Sequence, residues 1–300
     1  MEYVWFALLA SLCAALNTIL NRVSSNKVSF ILSSALKSGF MIIFCFLICM
    51  VLGHIKNLYA LEPEQWLFVI LTGALTTCNW LFYFLAIKHS HLESFSPYIE
   101  SSTLFFSNTL FMIFMFSVVV NVNSGLSIFF YILGLVLMFG SLIYITFNKK
   151  INPKTSKMWI VYASISALAL AITVLLVKLK LTMVDSDIIM FHQMSIVFVV
   201  SVILCFITKQ KKEFKKLVWQ DYARFLLGAI FNTGLTIFRY RALSYDNCNP
   251  ALVSVIISLE FVAVSVATII FFKEKNKLQM SLLIALVSAG MLFNFLSTLV

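Results

Sequence analysis

Charge is what this sequence has least of. Only 11% of its 300 residues are Asp, Glu, Lys or Arg, against about 25% in a soluble domain. So few charges cannot clothe a globule in water, so lipid is the expected outer solvent. Glycine (9), proline (4) and histidine (4) are also sparse. The histidines, His54, His89, His91 and His192, are scattered, and the six cysteines form no C-x-x-C pair. Zinc and disulfide readings are therefore poor, and no metal site is expected. Five of the cysteines lie inside apolar runs, where they serve as small packing residues. There is no G-x-S-x-G, no H-E-x-x-H and no glycine-rich phosphate loop. Accordingly no catalytic residue, no cofactor and no ATP hydrolysis are expected.

What is present is apolar: 61% of the residues, with a mean hydropathy of +0.99. The apolar residues come in continuous runs of roughly 20, the length a spanning helix needs. Barrel strands would instead alternate apolar and polar residues over about 10 positions. Met1-Glu2-Tyr3 opens without a basic region, so the first run reads as a permanent span rather than a cleavable signal. Ten spans are expected, at 3–21, 30–52, 66–87, 95–119, 127–147, 158–177, 188–208, 221–243, 249–271 and 279–299.

A polar stretch from Asn148 to Lys157 leaves five spans on either side. Its position suggests a repeat of residues 1–150 in 151–300. Phe82-Tyr83-Phe84-Leu85-Ala86-Ile87 at the end of the third span lies against Phe238-Arg239-Tyr240-Arg241-Ala242-Leu243 at the end of the eighth. Each is followed by a polar turn and a proline, Pro97 and Pro250. Five is odd, so the second half enters the membrane inverted. The expected fold class is all-α: a polytopic membrane protein of ten transmembrane helices in two inverted five-helix repeats.

The formal net charge of +10 would raise nucleic-acid binding in a soluble protein. Here the bases sit in short loops, where lipid headgroups and topology account for them. Fifteen Lys and Arg fall in the loops after spans one, three, five, seven and nine, and three (Lys56, Lys178, Lys180) in the alternate loops. The positive-inside rule puts the first set in the cytoplasm and both termini outside. The bacterial cytoplasmic membrane is the expected location.

Two stretches resemble the drug/metabolite transporter superfamily in its EamA-type branch. Trp80-Leu81-Phe82-Tyr83-Phe84-Leu85-Ala86-Ile87-Lys88 is similar to that family's aromatic third span. Asn249-Pro250 through Ser258-Leu259-Glu260-Phe261 to Phe272-Lys273-Glu274 is similar to its ninth. Phe261 stands where proline is usual, and Lys273 where glycine is. Members are often drawn with cytoplasmic termini, against the charge count here. The resemblance implies metabolite transport by alternating access, without naming the solute.

A charge at the bilayer centre costs about 2.5–3.5 kcal/mol on insertion scales, so the few intramembrane charges are informative. Glu260, in the middle of the ninth span, could bind a cationic group, pair with an arginine or carry a coupling proton. Lys37 and Glu100 lie at similar depth in spans that start from the same side; they are expected to form a charge pair or gate. Arg239 and Arg241 are two apart, so only one of them easily faces a cavity; Arg239 is the candidate. His192 is a second candidate for proton coupling, although an interfacial role is commoner for a lone histidine at a span end. Asn17, Asn79 and Asn232 offer mid-span amides, as does Asn108, and Trp80, Tyr83 and Tyr98 offer rings that could cage a cation. Tyr240 belongs to the same aromatic cluster. Packing is the blander role for each of these residues.

Intramembrane positive groups slightly outnumber carboxylates. The function expected is therefore secondary active transport of a small polar organic metabolite, an amino acid or other zwitterionic or anionic solute. Transport of a quaternary amine or drug-like cation is the alternative. From other classes, a membrane enzyme acting on lipid-linked substrates would need a polar cluster at one membrane face. A non-transporting accessory subunit would fill the cavity with apolar side chains. The expected partners are a small-molecule solute and membrane lipid, with proton or exchange coupling and no nucleic acid.

Overall fold

The computed structural model describes residues 2–25, 28–90, 92–148, 157–181, 183–271, 277–298 and 300. Every regular element among them is helical. This follows from the solvent: in hydrocarbon a backbone N–H or C=O has no water to turn to, and a helix pairs each one within the segment. The helices are α1 (Glu2–Ser25), α2 (Phe30–Val51), α3 (Pro63–His89), α4 (Leu92–Phe114), α5 (Phe116–Val119) and α6 (Gly125–Phe147) in the first half. The second half holds α7 (Met158–Lys180), α8 (Ser186–Ile207), α9 (Trp219–Leu243), α10 (Pro250–Ile257), α11 (Glu260–Phe271) and α12 (Lys277–Leu296). Six of them, α1, α2, α3, α6, α7 and α8, are long and apolar enough to cross a membrane alone. With α4, α9, the α10–α11 pair and α12, they make ten spans in the expected order.

Several boundaries are written in the caps. Ser29 accepts from Leu32 N and starts α2, Ser124 accepts from Ser127 N and starts α6, and Asn249 accepts from Ala251 N and Leu252 N ahead of Pro250. These side-chain oxygens satisfy N–H groups that a first helical turn leaves unpaired. Two breaks were not expected. The fourth span ends at Phe114 and restarts as the short α5, with Met115 at φ −139° and ψ 35° between them. The ninth span is interrupted at Ser258-Leu259, so that Glu260 opens a fresh helix.

Helix packing repeats across the two halves. α1 packs along α9 and α7 along α3, which are the same pairing with the halves exchanged. α7 also packs on α4, as α1 does on α10 and α11, while α2 lies against α8 and α6 against α12. Outward faces are apolar, with Trp5, Val51, Leu67, Val136 and Phe206 exposed. The two ends of the bundle differ in charge. One carries the described lysines Lys88, Lys157, Lys209, Lys212 and Lys215. The other carries Glu2, Glu62, Glu64, Asp185, Asp187 and Asp246, together with both ends of the described chain. There the Tyr245 hydroxyl donates to Glu2, and Asn121 Nδ2 donates to Val300 O. This end is called the acidic face below.

Candidate functional site

Between the two halves lies a cavity of about 140 Å³, lined by α1, α2, α3, α4, α7, α8, α9, α10 and the start of α11. Its polar lining comes in stripes at helical spacing. Asn17, Thr18 and Asn21 share one face of α1, and Asn232, Thr236 and Arg239 recur on α9 at i, i+4 and i+7. Because the outer faces of these helices meet lipid, the polar side chains can be satisfied only inward.

A cationic pole forms around Lys37, which is 2% exposed. Its ammonium donates to Asn17 Oδ1 and, at 2.5 Å, to Asn21 Oδ1. It also lies 5.4 Å from the Trp80 ring centre and 6.0 Å from that of Phe84. Asn17 is fixed in turn, since its Nδ2 donates to Asn232 Oδ1 at 3.3 Å. An ammonium has three N–H donors, and two of Lys37's are given to these amides.

A carboxyl pair forms where the ninth span breaks. The Glu100 and Glu260 carboxyls lie side by side, with Arg239 as the nearby cation and Ser258 against Glu100. Thr18 Oγ1 donates to Glu260 Oε1 at 3.3 Å, and the Tyr83 hydroxyl lies close to Asn21 and Thr18. The break at Ser258-Leu259 places Glu260 in the first turn of α11, where the helix dipole favours a negative side chain. Higher in the cavity Tyr240 donates to Gln193 Oε1 at 2.8 Å, which leaves Gln193 Nε2 without a protein partner. On the α3–α7 side Ser166 donates to Asn79 Oδ1 at 2.7 Å.

The structure brings together Asn17, Asn79, Trp80, Tyr83, Asn232, Arg239, Glu260, Lys37 and Glu100, which all line this cavity. Arg241 is exposed instead. Three expectations fail geometrically. Lys37 and Glu100 do not pair, because nearer amide oxygens take the ammonium and Glu100 turns to Glu260. Tyr98 faces away, two residues from Glu100 on its helix; its hydroxyl lies 2.8 Å from Ser164 Oγ and its ring meets Trp159 edge-on. His192 is outside the cavity too, with Nε2 3.0 Å from Leu58 O and its ring against Trp66. Asn108 is fully buried away from the cavity; its main-chain oxygen accepts from the Tyr131 hydroxyl. The motif residues Phe272, Lys273 and Glu274 lie outside the described residues.

Sequence reasoning missed the small hydroxyls and one amide: Thr18, Asn21, Thr76, Ser107, Ser166, Thr173, Ser254 and Ser258 all line the cavity. The signal was available in the spacing of Asn17 with Asn21 and of Ser166 with Thr173, four and seven residues apart on one helix face. Among the described residues no group of three or more His, Cys, Asp or Glu could hold a metal ion.

The sequence matches the EamA-like transporter family over residues 1–140 and again over 157–296. No curated protein matches it. A solved crystal structure is similar in fold, with a TM-score of 0.70 at 13% identity, covering 98% of this chain and 96% of that one. Two family matches, one per half, agree with the exchanged helix pairings described above. The chain belongs to the EamA-like transporter family, and with it to the drug/metabolite transporter superfamily of membrane proteins.

Proposed function

We propose that this transporter is a secondary carrier of a small zwitterionic solute, of amino-acid size, working by alternating access in a bacterial cytoplasmic membrane. One observation carries the reading: a single cavity between the halves holds a cationic pole at Lys37 and a carboxyl pair at Glu100 and Glu260. A solute with a carboxylate and an ammonium can use both. Its carboxylate would take the remaining Lys37 N–H, the free Gln193 amide and the Arg239 guanidinium, and its ammonium the carboxyl pair. In the measure where one water takes about 10–15 Å³, the cavity holds roughly ten waters, which suits an amino acid better than a nucleotide sugar. A purely cationic solute is less favoured, because Lys37 already occupies the face of the Trp80 ring.

Transport would follow from rocking of one half against the other around this fixed site, the general behaviour of inverted repeats. Glu260 is the residue proposed to link solute and proton. The test is uptake into proteoliposomes, with binding read by thermal shift. A zwitterion at a hundred times its Kd should stabilise the protein by about 2.7 kcal/mol. Glu260→Gln should abolish pH-driven uptake and weaken solute exchange far less, because Glu100 is left to hold the solute's ammonium. Proton dependence unchanged in that variant would remove Glu260 from the coupling, and no shift with any amino acid would remove the zwitterion reading.

A further inference from the structure

At the acidic face one seam of contacts bridges a segment of the first half to a segment of the second, apart from the Tyr245–Glu2 and Asn121–Val300 contacts described above. The segment after α2 holds His54, a 3-10 turn at Ile55–Leu58 and the start of α3. The opposing segment runs from the end of α7 to the start of α8. His54 Nδ1 lies 3.0 Å from Asp187 Oδ2 and 3.8 Å from Asp185 Oδ2. Gln65 Nε2 donates to Met183 O at 2.7 Å, Lys180 pairs with Glu64 at 3.0 Å, and His192 Nε2 lies 3.0 Å from Leu58 O. Trp66 covers the His192 ring with centroids 4.9 Å apart. None of these groups lines the central cavity, and the proposed solute site uses none of them.

We propose that residues 52–66 are the gate of the acidic face, and that His54 latches this gate to Asp185 and Asp187 at the start of α8. The inference rests on the alternating-access reading, in which this face must open. It adds which contacts must part and what controls them. Polar contacts gathered along this seam suit a gate, since each partner can be re-solvated when the seam opens. The cavity beneath is held by buried contacts that cannot.

The latch is pH-sensitive. The hydrogen bond to Asp187, helped by the charges of Asp187 and Asp185, holds the His54 imidazole above its ordinary value of 6.5. The other groups near it are Cys49, on the last turn of α2 against Asp187, and Lys56 on its own turn, with the Glu64–Lys180 pair also on the seam. A value raised in the latched form means that the latch is at full strength below pH 6.5 and is lost as pH climbs through the raised value. The His54 side chain is 31% exposed and that of Asp187 5%. A pair this accessible is worth roughly a factor of two to five.

The test reads gate opening directly. Cys13 and Cys78, the cysteines that are not buried, are replaced by alanine, and Thr173→Cys places a thiol in the cavity. Sealed vesicles presenting the acidic face are treated with a membrane-impermeant maleimide. Rates are read as a ratio to the His54→Gln variant at the same pH, which cancels the thiol's own ionisation. The parent should label about two to five times more slowly than that variant near pH 6 and equally fast near pH 8.5. Asp185→Asn, at an exposed position, should shrink the pH step. A ratio of parent to His54→Gln that is one at both pH values, or that does not change with pH, would overturn the latch. Labelling needs no solute, so the two readings fail separately. A latch-dependent thiol in a protein that transports nothing would sink only the carrier proposal. Solute uptake with a pH-independent ratio would sink only the latch.

Discussion

Lys37 shows how a charge persists between two apolar helices. Its ammonium is shielded from water, and the amide oxygens of Asn17 and Asn21 replace the hydration it lost. A hydrogen bond to a charged group contributes about 1.5–3 kcal/mol, and a buried charge deprived of partners costs more. Asn21→Leu should therefore lower stability by about 1.5–3 kcal/mol. Adding Lys37→Met should recover part of that loss, because no buried charge is then left short of partners. Thermal unfolding of the two single variants and the double variant in detergent gives the coupling; strictly additive losses would show that Lys37 does not lean on Asn21. At this scale the sequence was half legible. Charges in a hydrophobic run stand out one by one, so Lys37, Glu100, Arg239 and Glu260 could be picked as working residues. Their partners could not. Depth along a helix is readable from residue count, but the angular position that turns Lys37 to α1 and Glu100 to α11 is set by tertiary packing. Asn21, a nearest neighbour of the central lysine, gave no signal beyond its spacing from Asn17.

The elements were more legible than the contacts between them, because the length of an apolar run is imposed by bilayer thickness rather than by partners. The breaks at Met115 and Ser258-Leu259 escaped notice, since neither carries proline or glycine and a hydropathy profile runs through both. Close packing escaped as well. Nine glycines looked few for membrane helices that need small residues at their crossings, yet two of them meet at the α6–α12 contact. A Cβ added at Gly134 would strike the Asn294 side chain and sit 2.9 Å from Gly290 O, whereas one added at Gly140 would find only Leu286 Cδ2, at 3.9 Å. Two substitutions of identical chemistry on one helix should then diverge. Gly140→Ala should be neutral or raise stability by up to about 1 kcal/mol through helix propensity. Gly134→Ala should cost about 1–3 kcal/mol through overpacking against backbone that cannot yield. Melting temperatures of the pair in one detergent decide it, and equal shifts would show that α6 and α12 do not touch at Gly134.

For the whole molecule, the two ends of the bundle face different electrostatic worlds. Among the described residues Lys88, Lys157, Lys209, Lys212 and Lys215 lie towards one end, and the acidic face carries Glu2, Glu62, Glu64, Asp185, Asp187 and Asp246. Ten successive spans put alternate loops at opposite ends. Orientation then depends on a single choice for the entire chain. Basic loops beside short spans resist translocation, while acidic residues contribute little to the decision. The lysine-rich end should therefore be cytoplasmic and the acidic face external, with the His54 latch meeting the outside medium. Single cysteines at Asp246 and at Lys212 report on the two ends. In intact cells an impermeant thiol reagent should label the first at once and the second only after permeabilisation. The reverse pattern would mean that the charge count misreads this chain, that the acidic face looks into the cytoplasm, and that the latch answers to internal pH.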